Sequence, residues 1–495
     1  MPCFCNKTHL FLLCFYNKTH LFLLCFYNKI YLFLLCFCNK IVSLQKIAIL
    51  MFERNIVKEL RAWAEKANRK PLILRGARQV GKTTIIDEFG KEFDTYLYLN
   101  LEREADAAVF SGSDQVETIL LSIFFLKGKE KTAGGRTLLF IDEIQCVPKA
   151  VALLRYFYED MPQLYVIAAG SMLQSLMRQR ISFPVGRVEY LSLHPCSFTE
   201  FLGAMGEKQF KDAIENVTLP PVFHEQAMRH FHTYALIGGM PEIVAHYARY
   251  KDIVALNSIY STLLTGYNED AEKYATNQTQ AQVIRYILER GWQMAGQTIT
   301  LGNFAQSTYR SREVGEAFLA MQKAFLLELV YPALSTEIPL LSALRRAPKL
   351  IWLDGGLVNY AAKIQKEVFD AKDILDAWRG NIAEQWVAQE LLALNGSLYE
   401  KRNFWIRNKP SSTAEVDFVW QNGSRLIPIE VKTGSNAHLR SLHLYMEDAS
   451  HDVAIRIWSG QYSVDDVVTN SKKSFRLINI PFYYISSIPL ILNNV

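Results

Sequence analysis

Cysteine is almost missing from most of this chain. Of eight cysteines, Cys3, Cys5, Cys14, Cys25, Cys36 and Cys38 crowd into the start, and only Cys146 and Cys196 lie beyond it. Two isolated cysteines without CxxC spacing exclude a disulfide framework and a thiolate zinc site, and fit a reduced, cytoplasmic protein. Excess charge is missing too. The formal net charge is +5, but Lys7, Lys18, Lys29, Lys40 and Lys46 stand in the first fifty residues with no acid, which leaves 49 basic and 49 acidic residues for the remainder. A neutral body offers no general field to a polyanion. Long uncharged runs are lacking as well: at most ten residues separate successive lysines of the opening stretch, against about 20 needed to span a bilayer. A lysine inside each apolar block also excludes an ordinary cleavable signal. No membrane partner is expected unless that stretch is a genuine part of the protein.

The opening stretch repeats every eleven residues, C-F-C-N-K-T-H-L-F-L-L, C-F-Y-N-K-T-H-L-F-L-L, C-F-Y-N-K-I-Y-L-F-L-L, C-F-C-N-K. That period is near three helical turns and predicts a helix with an Asn-Lys stripe. Near-identical repeats also read as translated tandem DNA ahead of a start at Met51, or as a membrane-associating or aggregation-prone segment. With 495 residues, 50% hydrophobic and 21% charged, the chain has the balance of a globular protein and the length of roughly three folded units.

After a helical pattern on Ile56, Val57, Leu60 and Trp63, Pro71 precedes the apolar run Leu72-Ile73-Leu74, and then G-A-R-Q-V-G-K-T-T at 76 to 84 opens a helix. Strand, glycine-bounded loop and helix form a phosphate cradle. Gly76, Ala77, Arg78, Gln79, Val80, Gly81, Lys82, Thr83 and Thr84 would surround the phosphates of ATP with backbone N–H groups. Lys82 would neutralise β/γ oxygens, and Thr83 would offer its hydroxyl to Mg2+. The run Leu138-Leu139-Phe140-Ile141 ends in Asp142 and Glu143, where Asp142 would hold Mg2+ and Glu143 would polarise the attacking water. Leu164 to Ala169 runs into Gly170-Ser171, with Ser171 a candidate γ-phosphate sensor. Arg187, with Arg178 and Arg180 as rivals, is a candidate arginine finger.

Further short blocks accompany these: F-x-R-x-I at 52 to 56, D-E-I-Q at 142 to 145, H-P-x-S-F-T-E-F at 194 to 201 and I-G-G-M-P-E at 237 to 242. Together they resemble a bacterial and archaeal family of AAA-type ATPases that pair this nucleotide domain with a C-terminal domain of undefined function. The resemblance runs from about residue 51 to the end. It implies ATP and Mg2+ as cofactors and leaves room for a homo-oligomer.

The segment 234 to 242 reads as a helix end and tight turn in a helical lid, with no chemistry assigned. From 281 to 327 the patterns V-I-R-Y-I-L-E-R, I-T-L-G-N-F-A-Q and E-V-G-E-A-F-L-A-M-Q-K-A-F-L-L, followed by extended runs at 329 and 349, predict helix, short helix, helix and wing. Arg310, Arg312, Arg345 and Arg346 give this winged helix a modest basic footprint, so a nucleic acid and a partner protein are equally open to it.

Near the end, a helix from Ile382 carries Glu384, Asp417 stands in A-E-V-D-F-V-W-Q, and Glu430-Val431-Lys432 closes a second strand. Helix with Glu, strand, Asp strand and Glu-x-Lys strand is the order of the PD-(D/E)xK nuclease core, which it resembles. A two-residue turn at Asn422-Gly423 would pair Gln421 with Ser424 and set Asp417 opposite Pro428. Alternation with period two then puts Asp417, Glu430 and Lys432 on one face. Asp417 and Glu430 would ligate Mg2+, Lys432 would position a hydroxide or stabilise the phosphorane charge, and Glu384 would complete the site. Pro428, lacking an N–H, is expected to end or bulge the ladder.

The expected class is therefore α/β: a leader at 1–50, an additional-strand P-loop core of AAA type at 51–215, a helical lid at 216–275, a winged helix at 276–375, and a PD-(D/E)xK-like domain at 376–495. The expected activity is Mg-dependent ATP hydrolysis controlling a nuclease-like domain. The alternative is a switch whose nuclease-like fold and winged helix only bind nucleic acid or protein.

Overall fold

A computed structural model describes residues 10–16, 19–25, 52–112, 114–130, 132, 134–170, 184, 186–370, 381–394, 402–409, 413–432 and 439–494. The chain divides into two units, one ending at Met51 and the other beginning at Phe52. In the first, β1 (Leu10–Tyr16) and β2 (Thr19–Cys25) pair antiparallel, from Tyr16 opposite Thr19 to Leu10 opposite Cys25. This corrects the expected helix there. Both seven-residue blocks mix leucine with phenylalanine and with tyrosine or threonine, residues that favour strand locally.

In the second unit, β3 (Leu72–Arg75), β4 (Thr95–Asn100), β5 (Thr137–Asp142), β6 (Tyr165–Ala169) and β7 (Glu189–Ser192) form one parallel sheet in the order β4-β5-β6-β3-β7. β6 lies between the strand that feeds the glycine loop and the strand that ends in Asp142, so the core is of the additional-strand kind. Alternate residues serve opposite faces, as period two requires. Leu72, Leu74, Leu138, Phe140 and Ile167 pack with α1 (Ile56–Glu65) and α2 (Lys82–Phe89). Ile73, Leu139, Ile141, Val166 and Ala168 pack with α3 (Val116–Leu126) and α4 (Pro148–Asp160).

α5 (Phe198–Met205) opens on a capping box of Ser197 and Glu200. α6 (His224–Ile237), α7 (Pro241–Tyr250) and α8 (Leu256–Glu269) follow. The turn between α6 and α7 needs its glycines, because a Cβ on Gly239 would stand 2.2 Å from the Cys196 carbonyl oxygen. α9 (Gln278–Arg290) and α10 (Ser311–Lys323) match the first and third helical patterns. The expected short helix between them is one 3-10 turn, Phe304–Gln306, broken by left-handed Ala305 at φ 49°.

β8 (Leu327–Ala333) and β9 (Lys349–Trp352) pair antiparallel as a wing would, but β8 also pairs parallel with β10 (Asn403–Ile406). α11 (Gly355–Ala361) and α12 (Asn381–Ala393) lie between them in sequence. β11 (Glu415–Asn422), β12 (Arg425–Val431), α13 (Arg440–Asp448), β13 (Val453–Trp458), β14 (Ser463–Val468) and β15 (Ser474–Pro481) follow. The sheet order is β14-β15-β13-β12-β11-β10-β8-β9. A boundary at 375 thus cuts through one eight-stranded sheet, and a single hydrophobic core runs from α1 to Leu492.

The hairpin register also differs from expectation. Asn422 pairs with Arg425, so the turn is Gly423-Ser424, with Gly423 at φ 59° in the first central position, where a type II′ turn wants glycine. Pro428 sits opposite Val419 and does not end the ladder; pairing to β13 begins only at Ile429. Continuing the register sets Asp417 opposite Glu430. Moving the turn by one residue shifts each partner by two, so the predicted common face survives.

Candidate functional site

β3 is buried along its length and delivers the chain to Gly76 at φ 155°, where a Cβ would stand 2.3 Å from the Leu193 carbonyl oxygen. Gly81, at φ 91°, then opens α2. The loop curls around Lys82, whose Nζ donates to the carbonyls of Gly76 (3.1 Å) and Ala77 (2.8 Å). Among the described residues Lys82 forms no ion pair, although it is buried. Burial pushes its pKa down, while Glu143 and Asp142 pull it up. A buried ammonium held by carbonyls suits an anion, and phosphate oxygens fit that chemistry. Ala77 and Val80 are buried, whereas Arg78, Gln79 and Thr84 are exposed.

Thr83 Oγ1 donates to Asp142 Oδ2 at 2.6 Å. β5 brings that carboxylate to the start of α2, so hydroxyl and carboxylate meet where a Mg2+ on the phosphates would take ligands from both. Burial raises the Asp142 pKa and the Thr83 bond partly offsets it. Glu143 leaves the strand with a left-handed backbone, φ 50°, and its Oε2 accepts from Gln145 Nε2 at 2.5 Å. Burial raises its pKa, opposed by the Gln145 bond. A carboxyl held above its ordinary range beside the phosphate site suits a general base. Gln145 stands in the D-E-I-Q block, yet its part in aiming Glu143 was not anticipated.

Two other expectations meet a different outcome. Ser171, like Arg178 and Arg180, lies outside the described residues; Ala169 ends β6 beside Leu74, at the loop's end of the sheet. Arg187 precedes β7, which runs parallel to β3, so it stands at the opposite end of the sheet from the loop. There it pairs with Glu159 at the end of α4. Within this chain it is not brought to the phosphate site.

Several residues around the loop were missed. Arg54 is buried beneath it, with Nη2 donating to the His194 carbonyl (2.7 Å), Nη1 to the Val80 carbonyl (3.4 Å), and Nε 3.0 Å from Glu200 Oε2. The F-x-R-x-I and H-P-x-S-F-T-E-F blocks therefore meet each other and the glycine loop. Arg78 Nη1 pairs with Asp270 Oδ2 at 2.5 Å, just past α8, and Tyr267 donates to the Arg78 carbonyl at 3.3 Å. Burial pushes Asp270 up, but Arg78 and Lys273 outweigh it and hold the carboxyl below its ordinary range. A cavity of about 330 Å³ opens between Arg78, Gln79 and the α8 residues Thr262, Thr265 and Gly266.

At the C-terminal end, Glu384, Asp417, Glu430 and Lys432 do converge, with an uninvited cation among them. Lys349, from β9 and 2% exposed, places Nζ 2.6 Å from Glu384, 2.7 Å from Glu415 and 3.5 Å from Asp417. Lys432 lies 2.9 Å from Glu430, and Asp417 Oδ2 accepts from the Val431 N–H at 2.8 Å. Burial, with Asp417 next, pushes Glu384 and Glu430 well above the usual carboxylate range. Burial alone would depress Lys349, but Glu384, Asp417 and Glu415 outweigh it and keep the ammonium charged. The set does not fit a divalent cation. Its carboxylates are already turned on ammonium groups and an N–H, and among the described residues no cluster of His, Cys, Asp and Glu is arranged for a metal. Nothing in the E-x-K pattern pointed to Lys349, which comes from a strand assigned to another domain.

A second buried network went unforeseen. Asp354, fully buried, accepts from the N–H groups of Gly239 (2.6 Å) and Leu357 (2.9 Å). Glu390, on α12, accepts from the Phe198 N–H (3.0 Å) and the Tyr234 hydroxyl (2.7 Å). Burial pushes Asp354 up to about 6 and Glu390 up to about 7. The I-G-G-M-P-E turn, read as a plain lid turn, is thus wired to α12.

Comparison with protein families matches residues 68–202 to an AAA domain, 228–368 to a domain of unknown function (DUF8612), and 379–483 to a second domain of unknown function (DUF4143). No curated protein matches. A solved structure titled "Structure of C. elegans PCH-2" is 12% identical, with a TM-score of 0.27, over 41% of this chain and 65% of that one. The chain therefore spans less than two thirds of that structure, and a likeness so loose carries no argument. The family match supports an AAA-type, ATP-binding ATPase. Among the described residues, no helix is long and apolar enough to cross a membrane.

Proposed function

We propose that the chain is a Mg-dependent ATPase whose nucleotide state is passed to its C-terminal domain, which acts as a binding module. The observation that carries this reading is the Thr83–Asp142 hydrogen bond of 2.6 Å beside the Lys82 ammonium, which among the described residues has no carboxylate partner. Lys82 would hold β/γ oxygens, Thr83 and Asp142 would hold Mg2+, which supplies Lewis acidity at the phosphate, and Glu143 would take a proton from the attacking water. Closure of the site would act on Arg78 and Asp270, and so on the lid.

A winged helix and a PD-(D/E)xK-like fold remain our reading of the segments after the lid. The basic footprint of the former is thin, since Arg312 is tied to Glu316 at 2.9 Å. The alternative, an ATP-controlled nuclease, rests on the convergence of Asp417, Glu430 and Lys432, and Lys349 counts against it. The test is ATP hydrolysis and hydrogen exchange on the full chain. We expect turnover in wild type and none in Lys82→Ala, with exchange along residues 381–393 changing on addition of MgATP only in wild type. Turnover unaffected by Lys82→Ala would sink the assignment of the site. An α12 indifferent to nucleotide would sink the coupling.

A further inference from the structure

Resting on the binding-module reading above, we propose that Lys349 is a built-in cation of the C-terminal site, occupying the place where a cleaving enzyme of this type would hold a divalent metal. Carboxylates from two separate elements, Glu384 of α12 and Glu415 and Asp417 of β11, surround one ammonium at 2.6, 2.7 and 3.5 Å. Such an approach is what oxygen ligands do around a metal, and here an amine nitrogen stands at the focus.

Lys349 cannot step aside cheaply. It is 2% exposed and its β9 backbone pairs with β8 from Val330 to Leu327, so withdrawing the side chain would strand a buried charge. The remaining carboxylate, Glu430, is engaged by Lys432, and its Oε2 is the one oxygen of the cluster buried without a hydrogen-bond partner. Mg2+ keeps several waters and is held through one or two carboxylates, and here each carboxylate already faces an ammonium or an N–H. Lys349 also has a positive role: it ties β9 to α12 and β11 and so welds the middle segment to the C-terminal sheet.

The experiment is Mn2+ binding followed by electron paramagnetic resonance on the full chain without nucleotide, in wild type, Asp417→Asn, Glu430→Gln, Lys349→Met and Lys349→Met with Asp417→Asn. Wild type should bind no Mn2+ that either carboxylate substitution removes. Lys349→Met should gain a site at least tenfold tighter than any in wild type, and the added Asp417→Asn should abolish it. Wild-type Mn2+ binding that disappears in Asp417→Asn or Glu430→Gln overturns the proposal, as does a folded Lys349→Met that gains nothing. If Lys349→Met does not fold, the wild-type comparison still decides. ATP turnover measured on the same samples separates the two readings: a dead ATPase refutes the switch, and leaves the cation to be judged on Mn2+ alone.

Discussion

Replacing Arg54 with alanine would strip Glu200 of its one cationic partner among the described residues, in a buried place. Both side chains are about 6% exposed. The carboxylate would keep the Asn55 N–H at 2.6 Å and the Ser197 N–H at 2.9 Å, which satisfies hydrogen bonding in part but not charge. Leaving one member of a buried pair costs about 3–5 kcal/mol, and the carbonyls of His194 and Val80 lose a donor besides. The loss falls beneath the glycine loop, so nucleotide affinity should weaken along with stability.

The assay is urea denaturation of the full chain, read with and without MgATP, for Arg54→Ala, Glu200→Ala, the double alanine variant and Arg54→Met with Glu200→Met. Each single alanine should cost about 3–5 kcal/mol. Because both remove the same pair, the double variant should fall short of their sum by roughly 1–3 kcal/mol. The paired methionines should recover much of the loss, since an apolar pair of similar volume carries no desolvation penalty. Single losses below about 1 kcal/mol, or strict additivity, would refute the claim that this is a desolvated pair bracing the loop.

Two further perturbations read individual carboxyls. Glu143→Gln should lower kcat by about 10²–10⁴ with ATP binding retained in a filter assay, while Gln145→Ala should move the acid limb of the pH–rate profile to higher pH, because the Gln145 bond now lowers the Glu143 pKa against burial. Asp354 and Glu390, raised to about 6 and about 7, bind protons in the folded state that the unfolded chain has already lost. Their contribution to stability is therefore fully present below about pH 4 and lost as pH rises to about 6 for Asp354 and about 7 for Glu390, on the order of 3 kcal/mol each. Urea midpoints should fall across that window, and Asp354→Asn should flatten the slope; a slope unchanged by that substitution would count against the assignment.

What could be read from the sequence was what is local. Strand, loop and helix around Lys82 occupy one short continuous stretch, and the structure puts Thr83 and Asp142 within hydrogen-bond reach as that pattern requires. Parity in the hairpin was equally readable, because it survives the choice between Asn422-Gly423 and Gly423-Ser424, while the register itself does not. Arg187 shows where composition misleads: a basic residue beside a strand says nothing until the strand's direction fixes which end it occupies. The short helix expected at 299 to 306 failed because Asn303, Ala305 and Gln306 all take positive φ, a backbone choice that apolar spacing cannot register. Lys349 was out of reach altogether. Its partners stand 35 to 68 residues away in sequence, and only the pairing of β8 with both β9 and β10 brings them together.

α12 is the element through which the two ends of the molecule can feel each other. Its Gln385 bridges the Trp352 N–H and carbonyl at 2.8 and 2.7 Å, Gln389 accepts from the Gly355 N–H at 2.8 Å, and Glu390 holds Phe198 and Tyr234. One residue before Gln385, Glu384 holds Lys349. A lid that moves with α6 must therefore either carry α12 with it or break the Tyr234 hydrogen bond to the buried Glu390 carboxyl, worth about 1.5–3 kcal/mol if charged. The first course strains the two Gln385 bonds to Trp352 of β9. It would shift Glu384 against β9 and β11, where three carboxylates already share one ammonium, so a displacement begun at Arg78 and Asp270 would be felt as a change of charge pairing around Lys349 rather than as a change in any exposed loop.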